Sequence, residues 1–129
     1  LSLTQPWATL VVSGRKQIET RSWNTNYRGP LYIHAAKAFP PAARAFAVKL
    51  YGAGGEWRIR YLPKGALVAT AYLLDTRPTE YVASRITAEE RSYGDYTPGR
   101  WAWILSNIEM LEPFPYKGSQ GLFEVVLKP

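Results

Sequence analysis

The chain has no cysteine, one histidine and one methionine among its 129 residues. Without cysteine there is no disulfide framework, no thiolate metal site and no cysteine nucleophile. A single histidine cannot assemble a zinc site alone, and nothing marks a carboxylate-bound magnesium. No cofactor is therefore expected. Long apolar runs are also missing: no stretch approaches the ~18 residues that a membrane span requires. The first residues, LSLTQPW, show no basic segment followed by an apolar run, so no secretory signal is read there and a cytoplasmic location is the default expectation.

What is present is apolar content of 47%, enough to pack a core, and a length suited to one domain over residues 1–129. The formal charge is +6, with five Trp and nine Tyr. Cations meet phosphate and aromatic rings stack on bases, so this composition suits single-stranded nucleic acid. It also occurs in proteins that are merely basic and soluble. No internal repeat or low-complexity linker appears.

Period and punctuation give the elements. LSLT reads as a short strand. Gln5-Pro6 opens a helix whose apolar stripe is Trp7, Leu10 and Val11, and Gly14 stops it. QIETRSW alternates, with Gln17, Glu19, Arg21 and Trp23 on one side and Ile18 and Thr20 on the other. NTNYRGP is a loop. LYIHAA is a strand with Leu31, Ile33 and Ala35 inward, and Tyr32 and His34 outward or toward a cleft. FPPAARAFAVKLYG is a helix entered at Pro40-Pro41 and closed by Gly52. GAGGEWRIRYLPKG reads as loop. ALVATAYLLDT is a strand. TEYVASRITAEERSYGD is helical or irregular, with Thr87 and Glu90 spaced as a capping box. RWAWILSNIEMLEPFP is a long strand and GLFEVVLK a final one. Strands separated by turns and a few helices predict an α+β fold, a small curved sheet or barrel with flanking helices.

The chemistry concentrates in GRKQIETRSW. Glu19 and Arg21, two apart on a strand, point the same way, and burying them unpaired would cost several kcal/mol. That face is either a solvated edge with surface ion pairs or a polar cleft. Lys16 is placed at its mouth, in the turn after Gly14. Lys and Arg hold phosphate, and Glu accepts from a base amino group. Outside this stretch, Trp7 serves core packing or base stacking. Trp23, Tyr27 and Arg28 flank the following loop and serve stacking and phosphate contact or loop packing. His34 reads as a hydrogen-bonded structural residue rather than a catalyst. Lys37 extends a basic rim. Trp101 and Trp103 read as barrel core. Asp75 caps a turn or faces the cleft, and Lys117, Gly118 and Gln120 form a turn.

Together, Gln5-Pro6-Trp7-Ala8, Gly14-x-Lys16-x-x-Glu19-x-Arg21, Trp23, Arg28-Gly29 and the downstream KGSQGLFEV resemble the ASCH (activating signal cointegrator homology) domain. The likeness extends to the branch found in the thyroid-receptor-interacting coactivator and in bacterial and phage relatives. It covers most of the chain, with Ala53 to Pro63 outside it. The resemblance implies a PUA-like β-barrel with helices around it, a cleft between barrel and helix lined by the signature, and an RNA or nucleotide ligand. On that basis Gln5, Lys16, Glu19, Arg21, Trp23, Tyr27, Arg28 and Lys37 are the candidate contacts to single-stranded RNA or a nucleotide.

Some relatives are amidohydrolases acting on N4-acetylcytidine, and others cleave RNA. In the amidohydrolases the motif Lys is followed three positions later by Thr. Here that position is Glu19, which removes the hydroxyl nucleophile. Lys16 and Glu19 would then be the catalytic pair, Glu19 orienting water and Lys16 polarising the carbonyl. The assisting acid would be Asp75, Glu89 or Glu90.

Overall fold

Two long antiparallel strands form the spine of the protein. The structure, a computed structural model, describes residues 1–127. β4 (Ala66–Pro78) and β5 (Trp101–Pro115) run antiparallel, with the register slipping between Leu67 and Ala69, between Thr70 and Tyr72, and between Leu73 and Asp75. Each slip adds one or two residues to one strand and bends the pair. β3 (Gly29–Ala35) pairs antiparallel with β4, and β1 (Ser2–Leu3) lies parallel to β3. β2 (Ile18–Arg21) pairs antiparallel with β5, Glu19 opposite Trp103. The sheet order is β1-β3-β4-β5-β2.

β1 and β2 are thus the two edges, yet a guanidinium nitrogen of Arg21 on β2 donates to the Ser2 carbonyl on β1 at 2.7 Å. The sheet has curled until its edges meet, and a side chain bridges the seam. The expected curved, barrel-like α+β fold is the one observed.

The barrel interior holds Leu3, Ile33, Ala69, Leu73, Trp103 and Leu105, all buried. Trp103 is fully enclosed, as its alternation predicts, while Trp101 is half-buried. α1 (Trp7–Val12) lays Leu10 and Val11 into the core and leaves Trp7 half-exposed. It ends at Gly14, whose φ of +81° lets the chain reverse sharply into Lys16. α2 (Pro41–Tyr51) follows the Pro40-Pro41 start and buries Ala43 and Ala47. The capping box forms by half: the Glu90 amide donates to the Thr87 hydroxyl at 3.1 Å and starts α5 (Ala88–Ser92), while the Glu90 carboxylate turns elsewhere. Before it, Thr79–Val82 forms the short α4, followed by a 3-10 turn at Ala83–Arg85.

Three expectations change. The stretch read as loop after Gly52 contains a helix, α3 (Glu56–Arg60), seated by buried Ile59 and followed by buried Leu62. Its five residues are too few to show a helical period against the surrounding glycines. His34 is almost fully buried although Ile33 and Ala35 take the inward side, because the segment from Tyr116 to Phe123 covers its ring beside a cavity that it lines. The final strand is absent: Gly121–Leu127 makes no ladder, and Lys128 lies outside the described residues. Leu122–Val125 borders a cavity with Pro30, Leu31 and Tyr32 of β3 without joining the ladder. The tail is instead held by side chains. The His34 ring bonds the Ser2 hydroxyl at 2.9 Å through Nδ1 and the Tyr116 carbonyl at 2.7 Å through Nε2, and the Tyr116 hydroxyl accepts from the Val126 amide at 2.8 Å.

Gly118 lies flat on that ring, where an added Cβ would come within 2.5 Å of His34 Cε1. Both ring nitrogens are tied, so the ring cannot yield. Gly118→Ala is expected to cost about 1–3 kcal/mol as an overpacked contact, read as a lower urea midpoint.

Candidate functional site

The turn at Gly14 carries Lys16 beneath α1, where its amide bonds the Leu10 carbonyl at 3.0 Å. Its side chain has 0% exposure, which corrects its expected place at the cleft mouth. All three ammonium directions are occupied. Nζ donates to the Ile18 carbonyl at 2.6 Å and the Tyr93 carbonyl at 3.1 Å, and lies 3.4 Å from Glu19 Oε1. The other carboxylate oxygen of Glu19 pairs with Arg21 at 3.0 Å. Lys16, Glu19 and Arg21 thus form one chain of charge ending on the seam at Ser2, and the charged strand face is a paired polar cleft rather than a wet edge.

The cleft itself has a volume of about 470 Å³. Glu19 and Arg21 form its floor, Trp7, Phe46 and Tyr93 one wall, and Asp95 and Arg100 its far rim. Trp7 stacks on Phe46 with centroids 5.0 Å apart, and Phe46 meets Tyr93 edge-on at 6.4 Å. Thr20 braces the rim by accepting from the Asp95 amide at 3.1 Å. Bonds from the Thr97 hydroxyl and amide, helped by Arg100, hold the Asp95 carboxyl below its usual value. Arg21 Nε is buried and finds no acceptor among the described residues.

Of the other expected contacts, none lines this cleft. Gln5 is fully buried, a correction to its place on the rim: its side-chain oxygen accepts from the Thr9 amide at 3.0 Å and its nitrogen donates to the Pro63 carbonyl at 2.8 Å. Trp23 packs edge-on against Trp103 at 4.8 Å. Tyr27 donates to the Pro30 carbonyl, and Arg28 ties the loop to Thr76 at 2.8 Å and to Asp75 at 3.5 Å. Lys37 is exposed beside a second cavity with His34 and Lys117.

The three candidate acids also lie elsewhere. Asp75 pairs with Arg77 and Arg28, and Glu89 with Arg15 and Tyr93. Glu90 accepts from the Gln17 amide at 2.8 Å, with its second oxygen unpartnered among the described residues. Burial pushes the Glu90 carboxyl up, against the Gln17 amide and the Lys16 charge. The acid that does face the cleft besides Glu19 is Asp95. Sequence reasoning missed it together with Tyr93, Arg100 and Phe46. The Ser92-Tyr93-Gly94-Asp95 turn is the local signal for Tyr93 and Asp95 only, and the fold alone brings it opposite β2. Among the described residues no cluster of His, Asp and Glu could hold a metal, and no helix is long and apolar enough to cross a membrane.

A curled five-stranded sheet, with a polar cleft between its seam and a helix, defines a small PUA-like barrel. The ASCH domain family matches residues 1–115, and the chain belongs to that family. It is 29% identical to activating signal cointegrator 1 of Mus musculus and of Homo sapiens over 131 residues, which is 97% of this chain. The chain spans 22% of the length of those proteins. Among solved structures it is similar to the ASCH protein of Zymomonas mobilis, with TM-score 0.56 and 18% identity over 89% of this chain and 71% of that one. A serine-to-alanine mutant of that protein gives TM-score 0.57 and 21% identity, with the same coverage of both chains. These likenesses show a shared fold.

Removing the Lys16 ammonium leaves two carbonyls without donors and Glu19 with a single cation. Lys16→Met is expected to lower stability by about 3 kcal/mol, measured by urea unfolding, with part of the loss recovered in a Lys16→Met/Glu19→Gln double variant. The raised Glu90 carboxyl means that the folded state binds its proton more tightly than the unfolded one. Its contribution is most favourable at low pH and declines as pH rises through the raised value. Glu90→Gln removes that decline. Melting curves should show the variant gaining on the parent between about pH 4 and pH 7, and a constant difference would contradict this.

Proposed function

We propose that this domain binds single-stranded RNA, or its nucleotide units, and holds one base in the cleft over the barrel seam. The observation that carries the reading is the fixed pair on the cleft floor. Glu19 and Arg21 lie 3.0 Å apart beside the ring wall of Trp7, Phe46 and Tyr93. The carboxylate accepts from an amino or imino group on a base edge, and the rings offer an apolar surface for stacking. Arg100 at the rim is a donor for phosphate or base carbonyl oxygens. Lys16 acts from behind as a positioning residue for Glu19. Gln5 and Trp23 act through packing, while Tyr27 and Lys37 remain exposed to a strand that leaves the cleft.

Binding is favoured over amidohydrolase or ribonuclease turnover by the state of Lys16. The catalytic role expected of Lys16 needs an ammonium that reaches a substrate carbonyl or phosphate, and this one is wholly buried against two backbone oxygens and a carboxylate.

Fluorescence anisotropy with short labelled oligoribonucleotides tests the reading. With two or three phosphates contacted, affinity should fall about tenfold between about 50 and 200 mM salt through counterion release. Glu19→Gln should reorder the preference among the four homopolymers, because the amide adds a donor where only acceptors stood. Salt-independent affinity, or a preference untouched by Glu19→Gln, would overturn it.

A further inference from the structure

The excess positive charge of the chain does not reside at the signature cleft. Between residues 37 and 64 there are six cationic side chains, Lys37, Arg44, Lys49, Arg58, Arg60 and Lys64, against the single acid Glu56. This segment therefore holds five of the six units of net charge. Among the described residues none of these six cations lies within ion-pair distance of a carboxylate, whereas Arg15, Lys16, Arg21, Arg28, Arg77 and Arg100 all do.

The same segment presents aromatic rings to solvent. On α3, Ile59 faces the protein, so Trp57 and, four residues on, Tyr61 come to share an outward face. They are 58% and 73% exposed, unusual for rings of this size. The Arg58 guanidinium lies over the Trp57 ring at 5.0 Å and near the Tyr51 ring at 5.9 Å. These side chains border a shallow groove of about 220 Å³ that reaches Thr9 on α1.

Two features make this face rigid. Gly55 packs against Tyr51, where a Cβ would stand 2.6 Å from the Tyr51 Cβ, so α3 folds tightly back on α2. Gln5 bonds Pro63 just beyond α3 and so ties the platform to the start of α1.

Arg58 stands among these open rings, and Arg44, Arg60 and Lys64 line a neighbouring groove with Glu56 and Phe39. Such cations beside exposed rings match the chemistry of a single-stranded nucleic acid, whose bases stack on the rings and whose phosphates meet the cations. We propose that α3 and the end of α2 form a second binding surface that engages nucleotides of the same strand lying outside the signature cleft. The proposal rests on the cleft reading for the identity of the polymer only. Thr9 borders this groove and Trp7 the cleft, so α1 stands between the two. Only a strand longer than the cleft can hold can reach both.

Anisotropy with fluorescein-labelled oligouridylates of four and sixteen nucleotides tests this, with oligothymidylates as a parallel arm that separates RNA from DNA. Trp57→Ala/Tyr61→Ala and Arg58→Ala/Arg60→Ala change exposed side chains, and circular dichroism checks that the fold is kept. Each is expected to weaken the sixteen-mer about tenfold or more, the loss of one stacked base or two phosphate contacts, and to leave the tetramer within about twofold. A sixteen-mer affinity unchanged by both variants overturns the second surface and leaves the cleft reading standing. Equal loss for both lengths also overturns it, since the effect then passes through the cleft. If the sixteen-mer binds through α3 while Glu19→Gln/Arg100→Ala changes nothing, the cleft reading fails and this one holds. Wild-type protein that binds neither length overturns both. Phosphatidylserine vesicles provide the competing outcome: sedimentation with them that the α3 variants abolish, with the RNA affinities intact, assigns the surface to a membrane and overturns the proposal.

Discussion

A buried ammonium organises this protein. Lys16 has no access to water, and a lone charge there would be prohibitive. It is tolerated because its three donors meet Ile18, Tyr93 and Glu19. Those acceptors belong to the start of β2, the turn after α5 and the cleft floor. Ile18 and Glu19 both lie on β2, so this one side chain, carried on the turn after α1, fixes β2 against the turn after α5. Glu19, held from behind, orients Arg21, and Arg21 reaches the other sheet edge at Ser2. Barrel closure and cleft chemistry rest on the same line of charge.

That arrangement separates two tasks that composition merges. The cleft over the seam is close to charge-balanced, with Glu19 and Asp95 facing Arg21 and Arg100. Such a site discriminates by hydrogen bonding more than it attracts by charge. The surplus cations sit on α2, α3 and the turn that follows, where they are exposed or half-exposed and unpaired among the described residues. On the RNA reading proposed above, the cleft would supply selectivity and the α2–α3 face general attraction, a division common to proteins that read a charged polymer.

Much of the barrel was legible in the sequence, because alternation over β3, β4 and β5 and the glycine and proline stops are local signals. The charged strand face was legible too: Glu19 and Arg21 had to share a side, and the structure pairs them. What escaped depends on contacts between distant residues. Lys16 reads as a surface residue until the Gly14 turn is seen to fold it under α1. Gln5 reads as polar and exposed until Pro63 arrives as its acceptor. The far wall of the cleft comes from residues 92–100, whose position opposite β2 no local pattern encodes. The terminal stretch from Gly121 to Leu127 has strand composition yet joins no ladder, so composition alone does not make a strand.

The way the seam closes has a bearing on how the molecule meets its neighbours. A curled sheet that stops short of full closure normally leaves two rows of unpaired amides and carbonyls, an invitation to add a foreign strand. Here the two edge strands are two and four residues long and meet across a guanidinium. The seam is thereby covered where these two strands meet, and an opening of about 470 Å³ is kept beside it.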